Sequence, residues 1–440
     1  MSRFDDSEMD PSAVVPGHWG PQDAGPLRLP WAGLLALSTA AFIDVVTDLA
    51  PAGLLPGMSA SLGVPEGHIG ILVSGYAVAS ALGAIPLTAL LRGLPRRRVL
   101  CSVLAGFALL DAMTAVSPSY VLTFACRLLA GALGGVLWAM LAPAAARFVP
   151  AERRGRAVAI VLAGITVALA LGVPAAAALA SPLGWRTVFA LLALLAAIAA
   201  AWIRAAVPGI PGEAPAGRLP LSGVLTRPGV RSVLAVTLLL LAGHQALYTY
   251  LAPFARRCGI SEVALVLFVF GLSTLGGVTL VAILTDRHLR STLLGVLSLL
   301  AAVLLTLGCA AHLAVALYAA VVCWGAAFGA APTLIQVALI DAAGPTHSDV
   351  ATAMQTAAYN VGIAAGSFAG GLALDHGGAG TLPWVALPLV IAALVTVIGA
   401  RRTAFPPARS ATRRRADGHC PKVAAWQTDF DQPGPGNGPG

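Results

Sequence analysis

The apolar residues of this chain fall in long unbroken runs. Thr381 to Ala400 and Thr292 to Ala311 carry no charge, and Ser232 to Pro253 has only His244 as a group able to charge near neutral pH. About 20 mainly apolar residues cross a bilayer as a helix. Closed β-barrels also satisfy their backbone in lipid, but they need short alternating segments, and these Ala/Leu/Val runs do not alternate. The pattern predicts an all-α membrane protein with twelve spans. In the first half they are 31–55, 67–91, 98–116, 119–147, 155–180 and 186–205. In the second half they are 231–254, 262–285, 291–311, 313–341, 349–373 and 381–400.

The polar segments between these runs set the domain organisation. Most are short. Residues 206–230, rich in Pro, Gly and Arg, predict a cytoplasmic linker between two six-helix bundles, 29–205 and 231–402. Residues 1–28 and 403–440 are polar, charged or Pro/Gly-rich and read as disordered cytoplasmic tails. The acidic start (Asp5, Asp6, Glu8, Asp10) has the wrong sign for a secretory signal.

Composition agrees with a bilayer as the main solvent. Apolar residues make up 58% and charged residues 10%, with a mean hydropathy of +0.84. Soluble domains carry about 25% charged residues. The net charge of +8 would suggest nucleic acid in a soluble protein, but its placement points elsewhere. With the N-terminus inside and the spans alternating, 23 of the 27 basic residues fall on the inner side. Only Arg186, Arg256 and Arg257 fall outside, and Arg127 lies within a span. That obeys the positive-inside rule and puts both termini in the cytoplasm. The six scattered cysteines have no metal-ligand spacing and read as small core residues.

An offset of 194 residues carries Gly83 onto Gly277, Arg96 onto Arg290, Gly131 and Gly135 onto Gly325 and Gly329, and Gly172 onto Gly366. Several matches at one offset, in equivalent spans, argue for a parallel repeat of six helices. The Gly131/Gly135 and Gly325/Gly329 pairs have the spacing that lets helix backbones approach closely in lipid.

Charges inside a span are costly and need a reason. Asp44, Asp48, Asp111 and Arg127 stand out. At a rise of about 1.5 Å per residue, Asp48 and Arg127 both lie about 12 Å below the outer face, and Asp44 lies one turn deeper. The expectation is that Asp48 or Asp44 binds a proton in one conformational state and that Arg127 neutralises the carboxylate in the other. A permanent structural ion pair is the plainer alternative. Asp111, near the outer end of the third span, is expected to face water. No P-loop, metal cluster or nucleophile elbow occurs. The chain is therefore not expected to be an enzyme, an ATP-driven pump or a nucleic-acid binder.

Several stretches resemble the major facilitator superfamily, and within it the twelve-span drug:proton antiporters of the arabinose-efflux and chloramphenicol-resistance type. Asp286-Arg287-His288-Leu289-Arg290 resembles the D-R-x-G-R loop, with Leu289 in place of its Gly. Arg92 to Arg98 keeps the basic run but lacks the Asp. Arg127 with Gly131 resembles the R-x-x-x-G signature, and Gly164 through Gly172-Val173-Pro174 the antiporter signature. Gly184-Trp185-Arg186 with Phe189 matches G-W-R-x-x-F, and Thr47-Asp48 followed by Gly53-Leu54-Leu55-Pro56 resembles T-E-F…G-L-L-P, with Asp for Glu.

The resemblance implies a cavity lined by the first, fourth, seventh and tenth spans. Trp138, His244 and Gln336 are then lining candidates, with Tyr76, Tyr248 and Asn360 as further polar groups inside spans. It also implies gating by Asp286, Arg287 and Arg290, with Arg92 and Arg96 in the equivalent first-half loop. Gly131, Gly135, Gly172, Pro174, Gly325 and Gly329 are assigned to helix packing. The function expected is proton-coupled efflux of a small amphipathic molecule, such as a drug, natural product or sugar, by alternating access in a bacterial inner membrane. Uptake by symport or facilitated diffusion is the alternative. The partners expected are the substrate, protons and membrane lipids, with no cofactor beyond the proton gradient and one chain as the working unit.

Overall fold

The computed structural model describes residues 29–91, 93–147, 149–150, 153–207, 209, 221–227, 229–311, 313–344, 347–401 and 403–405. For residues 85, 221–222, 282–288 and 348–349 the description is of the backbone. The expected N-terminal tail, the expected C-terminal tail beyond residue 405 and most of the expected linker, together with Arg92 and the side chains of Asp286 and Arg287, lie outside the described residues.

Fourteen α-helices account for nearly all of the described chain, and no strand occurs among the described residues. They are α1 (Trp31–Leu62), α2 (Glu66–Leu91), α3 (Arg96–Val116), α4 (Tyr120–Arg147), α5 (Arg154–Val167), α6 (Val173–Leu183) and α7 (Trp185–Ala206). After them come α8 (Leu221–Leu225), α9 (Val230–Tyr248), α10 (Leu251–Arg257), α11 (Val263–Ala310), α12 (Ala314–Ala343), α13 (Ser348–Gly377) and α14 (Leu382–Gly399). Twelve stretches within them are long and apolar enough to cross a membrane.

Proline and glycine explain where the helices depart from the expected spans. The first span runs on through Pro51 and Pro56 to Leu62 and stops at Gly63, whose left-handed φ of 66° forms the C-cap. In the fifth span Pro174 has no N–H to donate one turn back. A π-helical turn, Ala168–Gly172, takes up the shift between α5 and α6. The seventh span breaks at Thr249 and Tyr250, one turn before Pro253. Between Gly277 and Gly295 neither Gly nor Pro occurs. The backbone stays helical there through the five residues expected to form a loop after the eighth span.

The repeat is visible in the packing. A Cβ on Gly131 would collide with the Tyr76 carbonyl, and one on Gly135 with the Ser80 carbonyl at 2.5 Å, which seats α4 on α2. Gly325 meets the Phe270 carbonyl and Gly329 the Thr274 carbonyl, which seats α12 on α11. The receiving residues also differ by 194: Tyr76 with Phe270, and Ser80 with Thr274. Gly83 against Ala132 and Gly277 against Ala326 repeat the relation from the other side. The spans thus form two six-helix bundles related by a parallel internal repeat. Gly172 packs on Phe42 and Val46 of α1.

The end of the molecule holding the α1–α2, α6–α7 and α10–α11 turns carries Arg186, Arg256 and Arg257 and is the arginine-poor end. Here the two bundles meet. Arg256 pairs with Glu66, the Gly67 N–H donates to Asp375 at 3.2 Å, and His68 lies 3.8 Å from the same carboxylate. The Tyr250 hydroxyl donates to the Ser367 carbonyl at 2.6 Å and lies 3.3 Å from that of Gly67, and the Ser74 hydroxyl donates to the Ala364 carbonyl at 3.0 Å. Gly67, Gly70 and Ser74 form one stripe of α2, buried on the second bundle. One and two turns further on, Val78 and Leu82 of that stripe are 43% and 70% exposed. The bundles therefore diverge towards the arginine-rich end.

Candidate functional site

The charge cluster lies inside the first bundle. Arg127, 1% exposed, reaches from α4 to α1 and donates from Nη2 to the Thr47 carbonyl at 2.8 Å. Its guanidinium carbon sits 5.0 Å from the Tyr76 ring centre and 5.5 Å from that of Phe189, so two aromatic faces hold it. The remaining donors, Nε and Nη1, have no hydrogen-bond partner among the described residues, and neither has Asp48 Oδ1. The level read from helix rise is thus met, since Arg127 bonds the residue next to Asp48.

Asp44 is buried one turn along α1 and accepts a hydrogen bond from the Tyr76 hydroxyl at 2.9 Å. A Cβ on Gly134 would come within 2.8 Å of Asp44 Oδ1, so glycine here lets α4 approach the carboxylate. Asp111 corrects the expectation that it faces water. It is 1% exposed and accepts a hydrogen bond from the Thr47 hydroxyl at 3.2 Å. The helix turns this residue towards α1 rather than to solvent. Three carboxylates and one guanidinium therefore gather around Thr47 and Tyr76. Desolvation penalises each isolated charge, and each carboxylate competes for the same cation.

The expected lining residues divide into two groups. Tyr76, His244 and Tyr248 are buried. The Trp324 indole N–H donates to His244 Nδ1 at 3.1 Å, and the His244 ring stacks on Phe328 at 3.6 Å and on Tyr248 at 5.0 Å. Phe270 closes the box, 5.7 Å from His244. This aromatic box belongs to the second bundle, and sequence reasoning singled out only His244 and Tyr248 from it. Trp324 and Phe328 stand four apart on α12, the same spacing as His244 and Tyr248 on α9. That was the available signal. Trp138 and Gln336 are exposed, and Asn360 is partly exposed. Asn360 lies one turn beyond Ala364 on the stripe of α13 that faces α2, and its amide donates to the Thr356 carbonyl at 3.1 Å.

Of the expected gating residues, Arg290 donates to the Val397, Phe405 and Ile398 carbonyls at 3.2, 2.9 and 3.4 Å, binding the end of α14. Arg96 is buried at the start of α3.

A family model described as Major Facilitator Superfamily matches residues 37–355 and 259–433. The "Chloramphenicol resistance protein" of Streptomyces lividans is 34% identical over 373 residues, which covers 83% of this chain and 94% of that protein. The "Probable sugar efflux transporter" of Mannheimia succiniciproducens is 26% identical over 374 residues, covering 84% and 94%. Among solved structures, the human organic anion transporter MFSD10 superposes with a TM-score of 0.63 at 17% identity, covering 84% of this chain and 100% of that one. At that identity the likeness concerns the fold alone.

Proposed function

We propose that this chain, which belongs to the Major Facilitator Superfamily, exports a small amphipathic molecule across a bacterial inner membrane in exchange for protons. The observation that carries the reading is the buried Arg127. It has two donors uncommitted beside carboxylates on α1, so it is poised to take a partner it does not hold in this conformation. The relatives named for chloramphenicol resistance and sugar efflux support export over uptake.

The positive-inside rule puts the arginine-rich end in the cytoplasm. The conformation described is then inward-facing, closed outside by Glu66, Arg256, His68, Asp375 and Tyr250. Cargo enters from the cytoplasm between the diverging faces of α2 and α13, past Trp138, Gln336 and Asn360. On the cytoplasmic side the Asp48 or Asp44 carboxyl gives up its proton, and Arg127 turns its free Nε and Nη1 donors to the new carboxylate. The ion pair replaces solvation that the bundle interior does not supply. The bundles then rock, the outer contacts part, and cargo leaves. A proton from outside returns to the carboxylate, Arg127 is released, and the bundles close again. Arg92, Arg96, Asp286, Arg287 and Arg290 hold the cytoplasmic helix ends together in the outward-facing state. Both walls of the cavity come from one chain, so the monomer is the working unit.

The test is proton release from purified, detergent-solubilised protein on adding chloramphenicol and a panel of lipophilic cations, with Asp48→Asn alongside. Release by wild type that disappears in the variant is expected. Measurable binding without release would overturn proton exchange.

A further inference from the structure

We propose that Asp111 is a third proton-carrying carboxylate of this cluster, tied to Arg127 through Thr47. The inference rests on the proton-coupled reading above and adds a helix, α3, that the reading does not use.

The geometry around Thr47 carries it. Thr47 stands between Asp44 and Asp48 on α1 and serves two partners: its carbonyl accepts from Arg127 at 2.8 Å, and its hydroxyl donates to Asp111 at 3.2 Å. A threonine hydroxyl both donates and accepts. With Asp111 ionised, Thr47 donates to it. With Asp111 protonated, the carboxylic acid donates to Thr47 and the hydroxyl turns its own hydrogen away. Both protonation states therefore keep a hydrogen bond without movement of any heavy atom.

Charge balance points the same way. Arg127 is the single cation within the cluster among the described residues, against Asp44, Asp48 and Asp111. The charged group acting on Asp111 is Arg127 of α4, itself held between the Tyr76 ring of α2 and the Phe189 ring of α7, and the Cys126 thiol of α4 lies within electrostatic reach of Asp111. The next cation towards the arginine-poor end, Arg186 of α7, is already engaged with the Ser61 hydroxyl at 2.7 Å and the Ser117 carbonyl at 3.1 Å. One guanidinium cannot balance three buried carboxylates, and an unbalanced charge is expensive at this depth. Protons are the remaining compensation. Three buried hydroxyls, those of Thr114, Ser117 and Thr123, lie between Asp111 and the α3–α4 turn at the arginine-poor end; the Thr123 hydroxyl donates to that of Ser117 at 3.0 Å, and the Thr114 hydroxyl donates to the Leu110 carbonyl at 2.8 Å. The step is simple protonation: a proton from that side binds a carboxylate oxygen of Asp111, and Arg127 offers its free Nε and Nη1 donors to an α1 carboxylate that has lost one.

Infrared difference spectra of the full chain in lipid, titrated from acid to alkaline pH, test this without any cargo. Wild type is expected to show a titrating carboxylic acid C=O band that is lost in Asp111→Asn, while the Asp48→Asn variant retains it. Asparagine preserves the bond to Thr47, so a purely structural role would leave the titration unchanged, and an unchanged spectrum overturns the proposal. Asp111→Glu is expected to restore a titrating band at a shifted frequency. Should Asp111→Asn fail to fold, Thr47→Val decides. It replaces the hydroxyl with a methyl and keeps the carbonyl that Arg127 uses, a shifted band is expected, and an unmoved one overturns the proposal. Absence of chloramphenicol-induced proton release from wild type, with the Asp111 band present and titrating, would sink the export reading while leaving Asp111 a titrating carboxylate of the cluster.

Discussion

Arg256, in the last turn of α10, forms an ion pair with Glu66, the first residue of α2, and so joins the two bundles at the arginine-poor end. The pair is partly exposed, with side chains at 45% and 26%. Exposed pairs contribute about 0–1 kcal/mol. Glu66→Gln is therefore expected to favour opening at this end by up to about fivefold, without unfolding the protein. Spin labels at Ala60→Cys and Ser261→Cys, in a background with the native cysteines replaced, report the change. The distance distribution should gain a longer population in the variant, and high salt should reproduce it in wild type. An identical distribution would show that the pair does not hold the closure.

Gly276 and Gly277 are neighbours with opposite surroundings. A Cβ on Gly277 would collide with the Ala326 carbonyl, whereas one on Gly276 meets nothing within 4 Å. Backbone atoms of a packed helix cannot move aside as a flexible side chain can. Gly277→Ala is expected to cost about 1–3 kcal/mol through overpacking. Gly276→Ala should be neutral or slightly stabilising, since alanine is the better helix former by about 1 kcal/mol. Thermal unfolding of the two variants in one detergent gives the comparison, and equal midpoints would refute the close approach of α11 and α12.

This glycine register was legible in the sequence because a repeat leaves the same offset in the packing residues and in their partners. The level of Arg127 beside Asp48 was equally legible, since depth follows from helix rise alone. The facing of a helix does not. Asp111 was expected on the water-facing side but is buried, because its partner Thr47 lies 64 positions away on α1. Nothing in an apolar run marks which face meets a neighbour. The aromatic box was hidden for a related reason. Phe270, Trp324 and Phe328 are ordinary residues for a span, and only their meeting with His244 distinguishes them. The contacts of Glu66, His68, Arg256 and Asp375 join opposite halves of the chain and have no local signal.

Tyr76 holds Asp44 with its hydroxyl and Arg127 with its ring. The two roles separate by substitution. Tyr76→Phe keeps the ring and removes the donor, which leaves the Asp44 carboxyl with one partner fewer at a cost of about 1 kcal/mol. Tyr76→Ala also opens a cavity and removes one of the two aromatic faces from Arg127, and should cost about 3–5 kcal/mol. Unfolding in detergent measures both. If Phe proved as damaging as Ala, the hydroxyl rather than the ring would be the principal support of the cluster.

Trp324 and His244 offer a cleaner test of the second bundle, because their bond is isolated from any charge. The indole donates to Nδ1, so the imidazole carries its own hydrogen on Nε2. Trp324→Phe removes the donor and is expected to cost about 0.5–1.5 kcal/mol for the bond, in addition to the lost ring volume. His244→Phe leaves the indole N–H without an acceptor inside the box and should cost a similar amount. In the double variant neither polar group is left unpaired, and the stacking partners Phe328 and Tyr248 remain. The two effects should therefore be less than additive, with a coupling of about 1 kcal/mol in a double-mutant cycle. Strict additivity would mean that the rings hold the box together by packing alone and that the hydrogen bond contributes nothing.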